Sequence, residues 1–264
     1  MRSAIGVVAA LGLSLGLVGG LASGASAKTL VYCAEAAPTG FDPALHVTRP
    51  TLDASAQRFF VRLVDFAPGS TAIVPALAES WDVSPDGRTY TFHLRQNVHF
   101  HTTDDFAPKR DFSADDVIFS LTRQQDPKNP WHSYAGASWP WFQSLGLDTL
   151  IRSIDKVDAA TVRITLTRAD SGFLGDLAMD FASIQSKEYA DTLLREKHQA
   201  LLDRTPVGTG PFVFNRADAT HVYAVASGDY WRGAPKLDTI IFSVTLDAAD
   251  RLANGEHVRL EAVR

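Results

Sequence analysis

Three histidines, His93, His99 and His101, stand close together in the middle of the chain. Histidine is a common metal ligand, and on a strand His99 and His101 would share one face. No carboxylate or cysteine set at ligand spacing accompanies them, so the pattern reads as a polar strand face and no metal is expected. Asp104-Asp105 and Asp115-Asp116 are paired acids. Glycoside hydrolysis needs two carboxylates across a cleft. Asp115 and Asp116, however, follow Ser113 at the start of a helical pattern, where first-turn acids complement the helix dipole. The sequence contains no G-x-S-x-G, H-E-x-x-H or P-loop pattern, and an enzyme is not expected. Cys33 is the single cysteine. It is either a small residue buried on an N-terminal strand, as free cysteines often are, or a half-cystine whose partner lies outside the chain.

These residues depend on a scaffold whose densest local code runs from Leu77 to Leu121. Pro85-Asp86-Gly87 marks a turn, because proline presets φ and glycine tolerates positive φ. From Thr89 to Arg95 the chain alternates, with Tyr90, Phe92 and Leu94 on one face and Thr91, His93 and Arg95 on the other. Together with Trp81 and Val83 this predicts a half-buried hairpin. Ser113 is an N-cap, and Val117, Ile118 and Leu121 supply the buried stripe of the helix that follows. Further strands are predicted at Thr29–Ala34, Thr161–Thr167, His221–Ala226 and Thr239–Val244. Helices are predicted at Asp53–Asp65, Leu147–Ile154, Ser171–Asp180 and Ser186–Leu202. The Thr205–Phe212 segment, TPVGTGPF, fixes a specific backbone path with two prolines and two glycines. Interleaved strands and helices with antiparallel hairpins indicate a mixed α/β (α+β) fold.

The chain has 264 residues, of which 45% are hydrophobic and 21% charged, and a formal net charge of −5. That is soluble globular composition, and the charge is too mild and too scattered for a nucleic-acid partner. Arg2, the apolar run Ile5–Leu21 and the small-residue site Ala25-Ser26-Ala27 predict a secretory signal peptide over residues 1–27. Its removal takes away Arg2 and leaves the chain one unit more negative.

The segments KTLVYCAEAAPTGFDPAL, LAESWDVSPDGRTYTFHLRQNVHFH, FSADDVIFSLTRQ, LAMDFASIQSKEYAD, PVGTGPF and YWRGAPKLDTIIFSVTLDAADR occur in that order. Together they resemble the N-terminal half of the periplasmic dipeptide-binding proteins, solute-binding receptors of peptide/nickel ABC transporters (family 5). The resemblance implies a type II periplasmic-binding-protein fold, with the first lobe present and the second missing. It implies a core domain from residues 28–60 and 205–251, an extra domain from 61–204, and an aberrant or truncated tail at 252–264. It also implies that Cys33 lacks its usual disulfide partner, because the segment LANGEHVRLEAVR holds no cysteine.

The function implied is capture of dipeptides or short peptides in the periplasm and delivery to an inner-membrane ABC permease, by a monomer without a cofactor. The alternatives are a haem or nickel-complex receptor of the same family and a secreted hydrolase. By position in the family, the loop His46-Val47-Thr48-Arg49 and the segment containing Tyr134, Ser138 and Trp139 face the cleft. A loop of this kind can hydrogen-bond a peptide main chain. Arg49 could hold a carboxylate or simply be a solvated loop arginine.

Overall fold

The computed structural model describes residues 27–136, 138–247, 249–250 and 260–263. The leader expected over residues 1–27 therefore lies outside the described residues except for Ala27, where the first strand begins. Of the expected tail, only 260–263 is described.

Two sheets and two hydrophobic clusters organise the chain. The first sheet contains β1 (Ala27–Ala34), β8 (Phe212–Ala217), β9 (His221–Ala226), β10 (Thr239–Val244) and β11 (Leu260–Val263), in the order β11-β1-β10-β9-β8. β1 and β10 run parallel, with Leu30 opposite Ile240 and Tyr32 opposite Phe242, whereas β9 is antiparallel to β10. One face is covered by α1 (Arg49–Ser55) and the chain just after it. Phe41, Ala54, Phe59, Phe60, Phe212 and Phe242 are buried together there. Phe41, Phe59 and Phe214 pack edge-on or tilted, with ring centroids 5.1–6.0 Å apart.

The second sheet is the predicted hairpin and its partners. β4 (Ala78–Val83), β5 (Thr89–Leu94), β7 (Thr161–Leu166) and β6 (Ile151–Asp158) form an all-antiparallel sheet in the order β4-β5-β7-β6. Gly87 takes φ +68°, as the turn requires. Tyr90, Phe92 and Leu94 point into the core, and His93 points out. α2 (Ala114–Gln125) packs beside this sheet, and α6 (Lys187–Glu196) packs against α2. Val117 and Leu121 are buried as expected, but Phe119 joins them while Ile118 is only half-buried. A small hairpin of β2 (Val64–Phe66) and β3 (Ile73–Pro75) lies between the two parts in sequence.

Four helix predictions need correction. The Asp53–Asp65 helix is in fact α1, which starts at Arg49 with Pro50 in its first turn and ends at Ser55. Its apolar spacing serves two masters: Phe59 and Phe60 enter the first cluster, whereas Leu63 enters the second. Leu147–Ile154 is one helical turn, α4 (Leu147–Leu150), followed directly by β6, because Ile151 and Ile154 pair with Leu166 and Ile164. The Ser186–Leu202 helix breaks at Lys197, which adopts φ +60°, and resumes as a 3-10 turn at Gln199–Asp203. The Ser171–Asp180 segment holds only α5 (Phe173–Leu177) and the start of a 3-10 turn.

TPVGTGPF runs along the seam between the clusters. The N–H of Gly210 donates to Phe59 O at 3.0 Å, and that of Phe212 donates to Arg58 O at 3.0 Å. A Cβ on Gly208 would meet Phe59 O at 1.9 Å, and one on Gly210 would meet Arg58 O at 2.4 Å. Trp231, on the β9–β10 connection, closes the seam elsewhere, with the guanidinium groups of Arg95 and Arg232 4.4 and 4.5 Å from its ring. Gly208→Ala is therefore expected to lose about 3 kcal/mol, the upper end for overpacking, in urea unfolding of the whole chain. Gly228→Ala, where nothing lies within 4 Å, should change stability by less than about 0.5 kcal/mol.

Candidate functional site

The loop from Thr39 to Arg49 leaves the first sheet and enters α1, and it is held by residues far away in sequence. Asp203, at the end of the 3-10 turn, accepts from Phe41 N (3.0 Å), Asp42 N (2.8 Å) and His46 Nε2 (2.9 Å). Gly40 leaves room for this pair: a Cβ there would lie 2.2 Å from Asp203 Oδ2 and 2.3 Å from His46 Nε2. Burial pushes the His46 imidazole down, but the hydrogen bond and charge of Asp203 outweigh it and raise its pKa above the ordinary value.

Behind the loop lies a buried ion pair. Arg123 of α2 and Asp42 are both fully buried, with Nη1 to Oδ2 at 2.5 Å and Nη2 to Oδ1 at 2.9 Å. Gln185 Nε2 (2.8 Å), Ala44 N (3.0 Å) and the Tyr134 hydroxyl also donate to the carboxylate. Desolvation pushes Asp42 up, yet Arg123 prevails and holds it below the usual carboxylate range. Every lone-pair direction of this carboxylate is used for structure, so it fixes the start of the loop rather than meeting a ligand.

The structure divides the residues expected to face a cleft. Val47 is exposed, Thr48 is the exposed N-cap of α1, and Arg49 points outward with its Nε 3.1 Å from Asp53 Oδ1. Ser138 is also exposed. Tyr134 and Trp139 do not face outward: they are 7% and 0% exposed. The Tyr134 hydroxyl is spent on Asp42, and the Trp139 indole donates to His132 O at 3.1 Å. Aromatic richness marked this segment in the sequence, but its rings are core. The signal that could have flagged them is their density beside α2, where Trp131 packs on Phe119 and Tyr134.

The three histidines do not converge. His93 pairs with Asp82 (2.8 Å), and His99 with Asp111 (2.7 Å). Neither His99 nor His101 lies on a strand. His101 is buried at the seam, with Nε2 2.9 Å from Gly210 O and Nδ1 accepting from Gly208 N. Burial pushes it down to about 4, the bond to Gly210 offsetting only part of that. Among the described residues no group of three or more His, Cys, Asp or Glu side chains is placed to hold a metal ion. Of the paired acids, Asp115 is half-exposed and bound to Lys156 at 2.8 Å, but Asp116 is fully buried. Arg110 and the N–H groups of Ser113 and Lys187 hold its carboxylate.

Cys33 is a half-buried free thiol on β1. With Tyr32, Glu35, Arg49 and Asp53 it lines a hollow of about 230 Å³ beside the start of α1. A larger groove of about 1410 Å³ runs past α1, between exposed Phe66 and Trp141. Its charged wall is internally paired: Arg62 binds Asp65 and Asp180, and Arg232 binds Asp65.

The sequence profile of bacterial extracellular solute-binding proteins, family 5 Middle, matches residues 72–257. The chain belongs to this family. The match continues past Arg251. The family 5 chain is 48% identical over 255 residues to di/tripeptide-binding protein 4 of Pseudomonas aeruginosa, covering 96% of this chain and 46% of that protein. It is 49% identical to heme-binding protein A of Haemophilus influenzae, covering 88% of this chain and 43% of that one. Its fold matches the dipeptide-binding protein of Pseudoalteromonas sp. SM9913 in complex with Met-Leu, with a TM-score of 0.84 and 40% identity over 86% of this chain and 45% of that structure. The family 5 chain thus spans less than half the length of these relatives. Among the described residues no helix is long and apolar enough to cross a membrane.

Proposed function

We propose that this chain carries the first-lobe half of a periplasmic receptor that captures dipeptides or short peptides for an ABC import permease. The observation that carries this reading is the fold match, at a TM-score of 0.84, to a relative holding Met-Leu. In this reading the exposed loop Val47-Thr48-Arg49, with Ser138, offers polar contacts to the peptide main chain. His46 stands behind the loop as its anchor. The groups that pair with the two charged ends of the peptide come from the other lobe. Closure is a hinge motion driven by the ligand's greater affinity for the closed form. A signal peptide over residues 1–27 carries the chain to the periplasm, where it acts by binding and not by catalysis.

A second reading, haem capture, is favoured by the 49% identity to heme-binding protein A. The two are separated by joining residues 28–250 to the part of the Pseudomonas di/tripeptide-binding protein 4 that follows its matched segment. Dipeptides and haem are then titrated into the fused receptor. Calorimetric dipeptide binding with no Soret shift supports the peptide reading; a Soret shift without dipeptide heat overturns it.

A further inference from the structure

A chain of side-chain hydrogen bonds links the His46–Asp203 pair to the hydroxyl of Thr48, 3.0 Å or slightly more apart at each step. His46 Nδ1 lies 3.2 Å from Thr39 Oγ1, which lies 3.3 Å from Thr51 Oγ1. Thr51 is fully buried and also accepts from Thr39 N at 3.0 Å. The Thr48 hydroxyl donates to Thr51 Oγ1 at 3.0 Å. With His46 neutral and its Nε2–H on Asp203, Nδ1 is an acceptor. The hydroxyl protons then run in one direction, from Thr48 to Thr51 to Thr39 to His46.

We propose that protonation of His46 reverses this hydroxyl chain and turns the Thr48 hydroxyl proton outward, so that the loop gains a donor for a peptide carbonyl or carboxylate oxygen. The assignment of that acceptor rests on the peptide-receptor reading. A proton from solvent binds Nδ1, which then donates to Thr39 Oγ1. Thr39 turns its proton to Thr51, whose two lone pairs are then filled by Thr39 N and the Thr39 hydroxyl, so the Thr48 hydroxyl no longer donates to it. No bond between heavy atoms changes. Asp203 and Asp42 are the charged groups acting on His46, and both favour its protonated form. Asp203, which holds the ring and the N–H groups of Phe41 and Asp42, is in these terms a positioning residue.

Amide shifts followed against pH in the full chain test the relay. In the native sequence the Thr48 and Arg49 amides should titrate with the His46 midpoint, above the ordinary histidine value. Asp203→Asn keeps an acceptor for Phe41 N and Asp42 N and should move both midpoints down together. Thr51→Val keeps the side-chain shape, should leave the His46 midpoint in place, and should remove more than half the amplitude at Thr48 and Arg49. Amides that stay flat in the native chain, or keep their full amplitude in Thr51→Val, overturn the relay. In the fused receptor, dipeptides should bind roughly threefold to tenfold tighter on the acid side of the His46 midpoint, the scale of one hydrogen bond. Thr51→Val should abolish that step. Dipeptide binding without a pH step overturns the role in recognition while leaving the peptide reading intact. No dipeptide binding at any pH removes the peptide reading, and the amide titration then decides the relay alone.

Discussion

Replacing Arg123 with methionine is expected to cost the fold about 3–5 kcal/mol, the cost of leaving a buried charge without its partner. The pair is 0% exposed on both sides. Methionine fills much of the arginine volume, so the loss is electrostatic rather than a cavity. Asp42 retains Gln185, Tyr134 and Ala44 N as donors, but three neutral donors do not neutralise a carboxylate in a dry interior. The double variant Asp42→Asn with Arg123→Met should recover most of the loss, because no charge is then left buried. Urea midpoints of the wild type and the variants measure this. A single variant within about 1 kcal/mol of wild type would show that water reaches the pair. The effect extends to the candidate site, because Asp42 opens the loop that carries Val47-Thr48-Arg49.

Acidification is expected to loosen the seam through His101. Its folded-state value is about 4, against 6.5 for an ordinary histidine. The unfolded chain therefore binds the proton first. Stability is fully present above about pH 6.5 and falls as pH drops toward about 4, by about 1.4 kcal/mol per unit and slightly more than 3 kcal/mol in all. The structural cause is specific. A protonated ring carries a donor at Nδ1, where Gly208 N already donates, and no carboxylate lies close enough to act on it. His46 works in the opposite sense, because its raised value adds stability as pH falls. The comparison that isolates His101 is the pH dependence of the urea midpoint in wild type against His101→Gln. The wild type should lose stability across the window, and the variant should be flatter by that amount. Parallel curves would exclude a buried neutral His101.

How much of this was legible in the sequence follows from the range of each interaction. The β4–β5 hairpin and the start of α2 are written in neighbouring residues: a Pro-Asp-Gly turn, a two-residue alternation, a serine before acids. The Asp53–Asp65 stretch misled because a helical spacing arose from two clusters sharing one short segment. Its Phe59 and Arg58 carbonyls were already committed to Gly210 and Phe212. Trp139 and Tyr134 were expected to face the cleft from their position in the family, and such a position does not tell a core ring from an exposed one. The pairs that shape the candidate site are distant in sequence, 81 residues for Asp42–Arg123 and 157 for His46–Asp203, and no local periodicity encodes them. His101 read as part of a polar strand face, and it is instead a buried ring bonded to the Gly208 and Gly210 backbone.

The central claim is that this chain supplies peptide contacts and their supports, while the groups that pair with the peptide's charged ends lie on the opposite lobe. Calorimetric titration of Met-Leu into the unfused, purified chain tests it most directly. The account predicts no binding in the sub-micromolar range. Sub-micromolar binding by the chain alone would contradict it.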